Sequence, residues 1–421
     1  MKELILHYLP DILKIVIELL IIYLILKYGL TKNKEFKLTE YEVNKIIEDF
    51  EPEEIIELNF KEILTYEEKK YELADYDVFN LKNKHKNELK EIIKKYGIGT
   101  CGPRGFYGTL DLHLEIENKI SSHYKRESAV LYPNAMTCIS SVIGCFCKSS
   151  DVIFYHKDSN PSILRGIEIT KSKSIEFNNL IDLQDKIKLH LSKNSNNFII
   201  LEGIYEMTGD ILQLNEFIKI REQFKIRIIL DESLSFPFLG ENGIFSYYNA
   251  DVNDVDIIIG SFAHYLCSNG GFVISDRTLA EYQRLASSSY CFSASLPAVL
   301  TKFNHLNLEE KFNSSKINEL NQGFIGIFKH SALKIISQHS SPFILIGSKE
   351  EVSKQVNIKV IKYLRDELLN RGIRVGINEY PIYSIRIMFK VSSKKEELNE
   401  INECIKSINI PCFTESEEET T

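Results

Sequence analysis

The chain has 421 residues, 44% of them apolar and 26% charged, with a formal net charge of −8. That length allows a large core and more than one domain, in a composition ordinary for a folded protein. With an acidic balance and no lysine/arginine-rich tract, the chain argues against nucleic acid as a partner.

The first predicted element is a membrane anchor. Between Ile12 and Leu26 only Lys14 and Glu18 interrupt an apolar run, and residues four apart share a helical face where opposite charges pair. A span needs about 20 residues, which Leu9–Leu30 supplies, so residues 1–32 are predicted to hold one transmembrane helix. A helix lying in the membrane interface is the alternative. No small-residue cleavage site follows, which speaks against a signal peptide. Lys27, Lys32, Lys34 and Lys37 come next, and positive charge there would keep the main body on the cytosolic side.

Residues 33–95 are charged and helix-rich and read as a connector and an arm. A helix over Leu89–Tyr96 ends at Gly97. Residues 97–109 then carry five glycines and a proline, interleaved with Cys101, Arg104, Phe106 and Tyr107. Such a stretch is neither a helix nor a regular strand. A glycine-rich loop inside a folded chain lets backbone approach a ligand or a second subunit.

From residue 110 helices and strands alternate. Helices are predicted over Leu110–Tyr124, Met136–Gly144 and Leu214–Phe224. Strands are predicted at Ala129–Tyr132, Asp151–Tyr155, Phe198–Leu201, Ile226–Leu230, Val255–Ile259 and Phe272–Ser275. Alternation with apolar strands gives an α/β protein whose mostly parallel sheet is covered on both faces. Ligands of such sheets bind beyond the strand carboxyl ends, where Asp231-Glu232-Ser233 and the turn Gly260–Gly271 fall. Residues 96–300 form the large domain. Residues 301–412, with a helical bridge from Ala298 to about Ser340, form a smaller C-terminal α/β domain. The acidic tail, residues 413–421, is predicted to be disordered.

Eight cysteines occur without a C-x-x-C pair, so reduced and mostly buried thiols are expected. Histidine 264 has no second histidine or cysteine at metal-ligand spacing, and no metal site is predicted. No lysine lies between Lys225 and Lys302. An enzyme that held a Schiff-base lysine in the 260–271 turn could not be this one.

Two stretches carry a resemblance: Gly99-Thr100-Cys101-Gly102-Pro103-Arg104-Gly105-Phe106-Tyr107-Gly108-Thr109 and Tyr290-Cys291-Phe292-Ser293-Ala294-Ser295-Leu296-Pro297. Leu201–Asp210 and Asp231–Ser235 echo it more faintly. The pattern is similar to the α-oxoamine synthases, fold-type-I pyridoxal-phosphate enzymes, and within them resembles the long-chain-base subunits of the serine palmitoyltransferases. That resemblance implies a large domain with a mostly parallel seven-stranded sheet and a small C-terminal domain.

It also implies that the cofactor site is dismantled. His264 stands at the Schiff-base lysine position, Leu234 at a histidine position and Asn160 at the place of the ring-stacking histidine. Asp231, whose counterpart in active members pairs with the pyridine nitrogen, is retained as a buried or capping carboxylate. The chain is therefore expected to hold no catalytic residue of its own and to pair with a lysine-bearing second subunit that keeps the pyridoxal 5'-phosphate. The pair would condense L-serine with palmitoyl-CoA at the endoplasmic reticulum membrane, with small regulatory membrane subunits as further partners.

Across that interface Ser293 is read either as a donor to the phosphate of the partner's cofactor or as a serine bonded to its own backbone. Cys101, Gly102, Arg104, Phe106 and Tyr107 form the loop that approaches the partner's site. Cys101 is read as a small packing residue, since no base beside it would make it a nucleophile. Arg386 falls near the substrate-carboxylate position of active members and is read here as a surface or structural arginine. Two other readings stay open at this point: an independently active acyltransferase, and a homodimeric scaffold.

Overall fold

The structure is a computed structural model that describes residues 18–20, 23, 39, 45, 70–349 and 352–411. Backbone contacts divide the chain into Met1–Glu67 and Glu68–Thr421. In the first unit residues 18–20 and 23 are helical. The predicted anchor otherwise lies outside the described residues, as does the acidic tail. Among the described residues no helix is long and apolar enough to cross a membrane.

The second unit is built on a seven-stranded sheet. In chain order its strands follow the short β1 (Tyr71–Glu72): β2 (Ser128–Tyr132), β3 (Val152–His156), β4 (Lys173–Phe177), β5 (Asn197–Glu202), β6 (Arg227–Asp231), β7 (Ile257–Ser261) and β8 (Gly271–Ser275). Their spatial order is β2-β8-β7-β6-β5-β3-β4. Only β8 runs against its neighbours, β2 and β7. The other pairings are parallel, as the apolar strands predicted.

Both faces are buried because both are covered by helices. Side chains alternate between the faces along each strand. Ile199, Leu201, Ile228, Leu230 and Ile258 enter one core, and Phe198, Ile200, Ile229, Ile257 and Ile259 enter the other. The Gly270-Gly271 pair has a packing reason. A Cβ at Gly271 would run into Cys138 and Ala135, so the helix Ala135–Phe146 lies directly on the strand.

A third core collects the C-terminal elements. Here β9 (Leu333–Ile335), β10 (Ile344–Ser348), β12 (Gly376–Asn378) and β13 (Ser384–Ile387) form an antiparallel sheet in the order β12-β13-β10-β9. Between its strands lie the helix Lys354–Asn370 and β11 (Ile373–Arg374), which pairs with β1.

Several expectations need correcting. The helical bridge from Ala298 is two helices, Ala298–Asn307 and Ser314–Ile327, and β9 begins before residue 340. The helix Pro161–Thr170, β4 and the helix Leu180–His190 were not predicted. β4 is an edge strand exposed along most of its length, so its sequence Lys-Ser-Ile-Glu-Phe never had to be apolar. The helix Arg277–Ala286 was also missed; it buries only Ala280 and Gln283. Of the seven described cysteines, three are buried, three are half-buried and Cys101 is exposed. Thiols are thus less buried than expected.

Candidate functional site

The strand ends place the site. Beyond the carboxyl ends of β5, β6 and β7 lies a cavity of about 340 Å³, where ligands of parallel sheets bind. Asn160, Asp231, Leu234 and His264, separated by more than a hundred residues of chain, line it together. The positions predicted to be lost from a cofactor pocket therefore do surround one space.

Local sequence fixes each of them. Asn160 caps the helix Pro161–Thr170: its Oδ1 accepts from the Ser162 and Ile163 amides at 3.0 and 3.1 Å. Pro161 is at the first helical position, where a missing N–H costs nothing. The Asn160 amide nitrogen Nδ2 then donates to Asp231 Oδ2 at 3.1 Å, and its backbone N–H to Glu202 Oε1 at 2.8 Å. Asp231 is the last residue of β6, where the sequence placed it just beyond the strand. Its Oδ1 accepts from the Ser233 amide at 2.9 Å, so it is buried and closes a turn, and no helix starts there for it to cap.

Glu202 ends β5 opposite Asp231 in register. Burial, and the neighbouring Asp231 charge, push its carboxyl well above the usual range. Burial raises Asp231 as well. Among the described residues no lysine or arginine pairs with either acid. His264 stands nearby, but burial lowers its imidazole, which keeps it mostly neutral at pH 7.

His264 is hydrogen-bonded at Nδ1 and has a carboxylate near Nε2. Nδ1 is 3.0 Å from Ser261 Oγ, and Nε2 is 3.9 Å from Glu206 Oε1. Tyr76 donates to the same Glu206 oxygen at 3.3 Å and sets its ring edge-on to His264, with centroids 5.0 Å apart. Arg386 lies over the Tyr76 ring at 4.8 Å and near Phe343 at 5.8 Å. It stacks on aromatic groups as a structural arginine would.

The glycine-rich loop and the Ser293 turn are one assembly. Ser295 donates its N–H to Gly102 O at 2.9 Å and its hydroxyl to Gly108 O. Thr100 Oγ1 donates to Ser295 O at 3.0 Å. Cys101 is exposed in a left-handed conformation at φ 59°. Phe106, Tyr107 and Phe292 are also exposed. Among the described residues nothing bonds the Ser293 hydroxyl; only its backbone N–H is engaged, by Ser289 O.

Arg104 departs from its expected place. It does not reach outward with the loop: its guanidinium makes a bidentate pair with Glu117 at 2.9 and 3.1 Å. Both side chains are buried, and Glu117 also accepts from the Leu131 amide at 2.8 Å. A buried charge needs its partner, and Glu117, which also lies 3.7 Å from Arg284, supplies it.

Sequence reasoning missed Glu202, Glu206, Tyr76, Glu117 and the role of Ser295. Glu202 and Glu206 lie within the stretch Leu201–Asp210 that did attract notice, and Ser295 within the Tyr290–Pro297 motif. Tyr76 and Glu117 carry no local signal, since only the folded chain brings them in.

The cavity does not fit pyridoxal phosphate. Such a site needs a lysine for the aldehyde and an acid for the pyridinium N–H. No lysine lines this cavity, and the Asn160 amide that lines it with Asp231 already donates to Oδ2 of that acid.

Residues 71–405 match the family described as aminotransferase class I and II, and the chain belongs to that family. Solved structures of the same shape include a serine palmitoyltransferase from S. paucimobilis (TM-score 0.72, 20% identity, 80% of this chain and 86% of that one). An 8-amino-7-oxononanoate synthase from Francisella tularensis is another (TM-score 0.66, 20% identity, 79% and 97%).

Among relatives of established name, the chain is similar to serine palmitoyltransferase 1 of Dictyostelium discoideum, at 32% identity over 92% of this chain and 91% of that one. It is 38% identical to long chain base biosynthesis protein 1 of Arabidopsis thaliana, over 49% of this chain and 45% of that one. It is 30% identical to serine palmitoyltransferase 1 of Saccharomyces cerevisiae, over 62% and 54%.

Proposed function

We propose that this chain is the non-catalytic subunit of a serine palmitoyltransferase, acting in sphingolipid synthesis. It pairs with a second, lysine-bearing long-chain-base subunit that holds the pyridoxal phosphate. The pair joins L-serine to palmitoyl-CoA, releasing CO₂ and coenzyme A and giving 3-ketodihydrosphingosine. The N-terminal segment anchors the chain in the endoplasmic reticulum membrane with its body in the cytosol.

One observation carries the reading. The chain's own cavity has no lysine and an acid already bonded to Asn160, while the glycine-rich loop and the Ser293 turn, which do not line that cavity, expose Cys101, Tyr107 and Phe292. Buried aromatic anchors are what protein interfaces are made from. The chain is thus equipped to complete a neighbour's site and not its own. Ser293, with a free hydroxyl on that surface, is suited to donate to the phosphate of the neighbour's cofactor.

The test is to purify the full-length chain alone and after co-expression with the lysine-bearing subunit, and to assay CO₂ release from serine with palmitoyl-CoA. Activity is expected only in the pair. Turnover by the chain alone would establish the independent acyltransferase instead. A chain that assembles only with itself would establish the scaffold.

A further inference from the structure

Room does not decide what the cavity accepts, since about 340 Å³ lies within the range of small-molecule sites. Lysine is missing at 264, and one substitution would return it. The acid is already there, at the end of β6. Between these two facts stands Asn160.

Its side chain is used at both ends. Oδ1 closes the first turn of the helix Pro161–Thr170, and Nδ2 donates to Asp231 at 3.1 Å. Its backbone N–H is tied to Glu202 at 2.8 Å. The residue is 3% exposed, and its amide cannot turn off Asp231 without giving up the cap or leaving a buried acceptor unpaired. A pyridinium N–H makes the same demand on this carboxylate: one N–H donor, aimed from within the cavity.

We propose that Asn160 is the residue that closes this half-site to pyridoxal phosphate. Its amide occupies the place of the pyridinium N–H on Asp231, so lysine returned at position 264 does not by itself return cofactor binding. The inference rests on the reading that the partner carries the cofactor, but it concerns only this chain's cavity. Its failure would leave the pairing untouched.

The test compares the isolated complex containing the natural chain, Asn160→Ser, His264→Lys, or both substitutions together. Serine keeps the helix cap, because its hydroxyl accepts from the same amides, and it removes the N–H donor to Asp231. Each complex is incubated with pyridoxal phosphate. A lysine amine condenses with the aldehyde, losing water, and borohydride then reduces the C=N bond and fixes the adduct. Peptide mass spectrometry reads the adduct at residue 264 separately from any on the partner.

The double variant is expected to carry at least about tenfold more adduct at 264 than His264→Lys, with a cofactor-dependent rise in unfolding temperature that the single variant lacks. Equal labelling of the two would overturn the proposal, as would no labelling of a folded double variant. Should serine at 160 fail to fold, Asn160→Thr, which caps the helix and likewise has no N–H to give, is read in the same way.

Discussion

Ser295 holds Gly102 by a backbone hydrogen bond of 2.9 Å, across more than 190 residues of chain. With its hydroxyl on Gly108 O and its carbonyl receiving Thr100, one buried serine fastens three points of the glycine-rich loop. The close approach depends on Gly108, where a Cβ would collide with the Gly102 carbonyl. Two motifs far apart in sequence therefore form one surface. Replacing Ser295 by Ala leaves the buried Gly108 acceptor without its donor, at a cost of about 1–3 kcal/mol. Denaturant unfolding should show that loss, and recovery of the partner subunit should fall with it. Full stability in Ser295→Ala would mean that the loop is held by other means.

Arg104 belongs to the foundation of that surface. Its bidentate pair with Glu117 is buried, and Glu117 also receives the Leu131 amide. Removing Arg104 leaves buried Glu117 with only the more distant Arg284, at 3.7 Å, so Arg104→Ala is expected to cost up to about 3–5 kcal/mol. Arg104→Lys keeps the charge and loses the planar fork, and should fall between it and the natural chain. An unfolding series on the three proteins checks the order. An Arg104 that acted on a partner's substrate would instead change KM and leave stability alone.

Much of this was legible because apolar strands and punctuating glycines are local signals. β5, β6 and β7 could be placed from their isoleucine and leucine runs. Exposed β4 could not, because little of it is buried and its residues are free to be polar; the amphipathic helix Arg277–Ala286 did carry a helical pattern and was overlooked. The site divides in the same way. The resemblance singled out His264, Leu234, Asn160 and Asp231, and they do line one cavity. What Asn160 does for Asp231 is a relation between the start of a helix and the end of a strand, and no spacing in the sequence carries it. Arg104 was misplaced for a similar reason: its partner, Glu117, is 13 residues on, in a helix whose inward face is set only by packing.

Cys101 sits exposed on the latched loop. The fold makes little demand on its side chain, so a larger residue there should act on whatever the loop faces. Cysteine and leucine both carry a Cβ and pay a similar cost in the left-handed backbone here, so Cys101→Leu is expected to shift the unfolding transition of the chain by no more than about 1 kcal/mol. In the assembled enzyme it should alter the ratio of kcat/KM between serine and a smaller amino acid by several-fold, since pocket shape sets such ratios. Unchanged discrimination in an intact complex would place Cys101 away from the substrate.

Glu232 gives the fold a pH dependence of its own. It is fully buried, receives Ser235 Oγ at 2.5 Å and the Ile244 amide at 3.1 Å, and burial pushes its carboxyl from 4.5 up to about 8. Between those values the folded chain keeps a proton that the unfolded chain has released. Stability then falls as pH rises. The contribution is complete below about pH 4.5 and is lost through pH 8, with a slope of at most about 1.4 kcal/mol per pH unit for this one group. Glu232→Gln removes the titration while keeping an acceptor for the Ile244 amide. Unfolding free energies measured from pH 5 to 8.5 should therefore decline less steeply in the variant, and the two proteins should differ most at the alkaline end. Parallel curves would mean that Glu232 is ionised in the folded chain throughout.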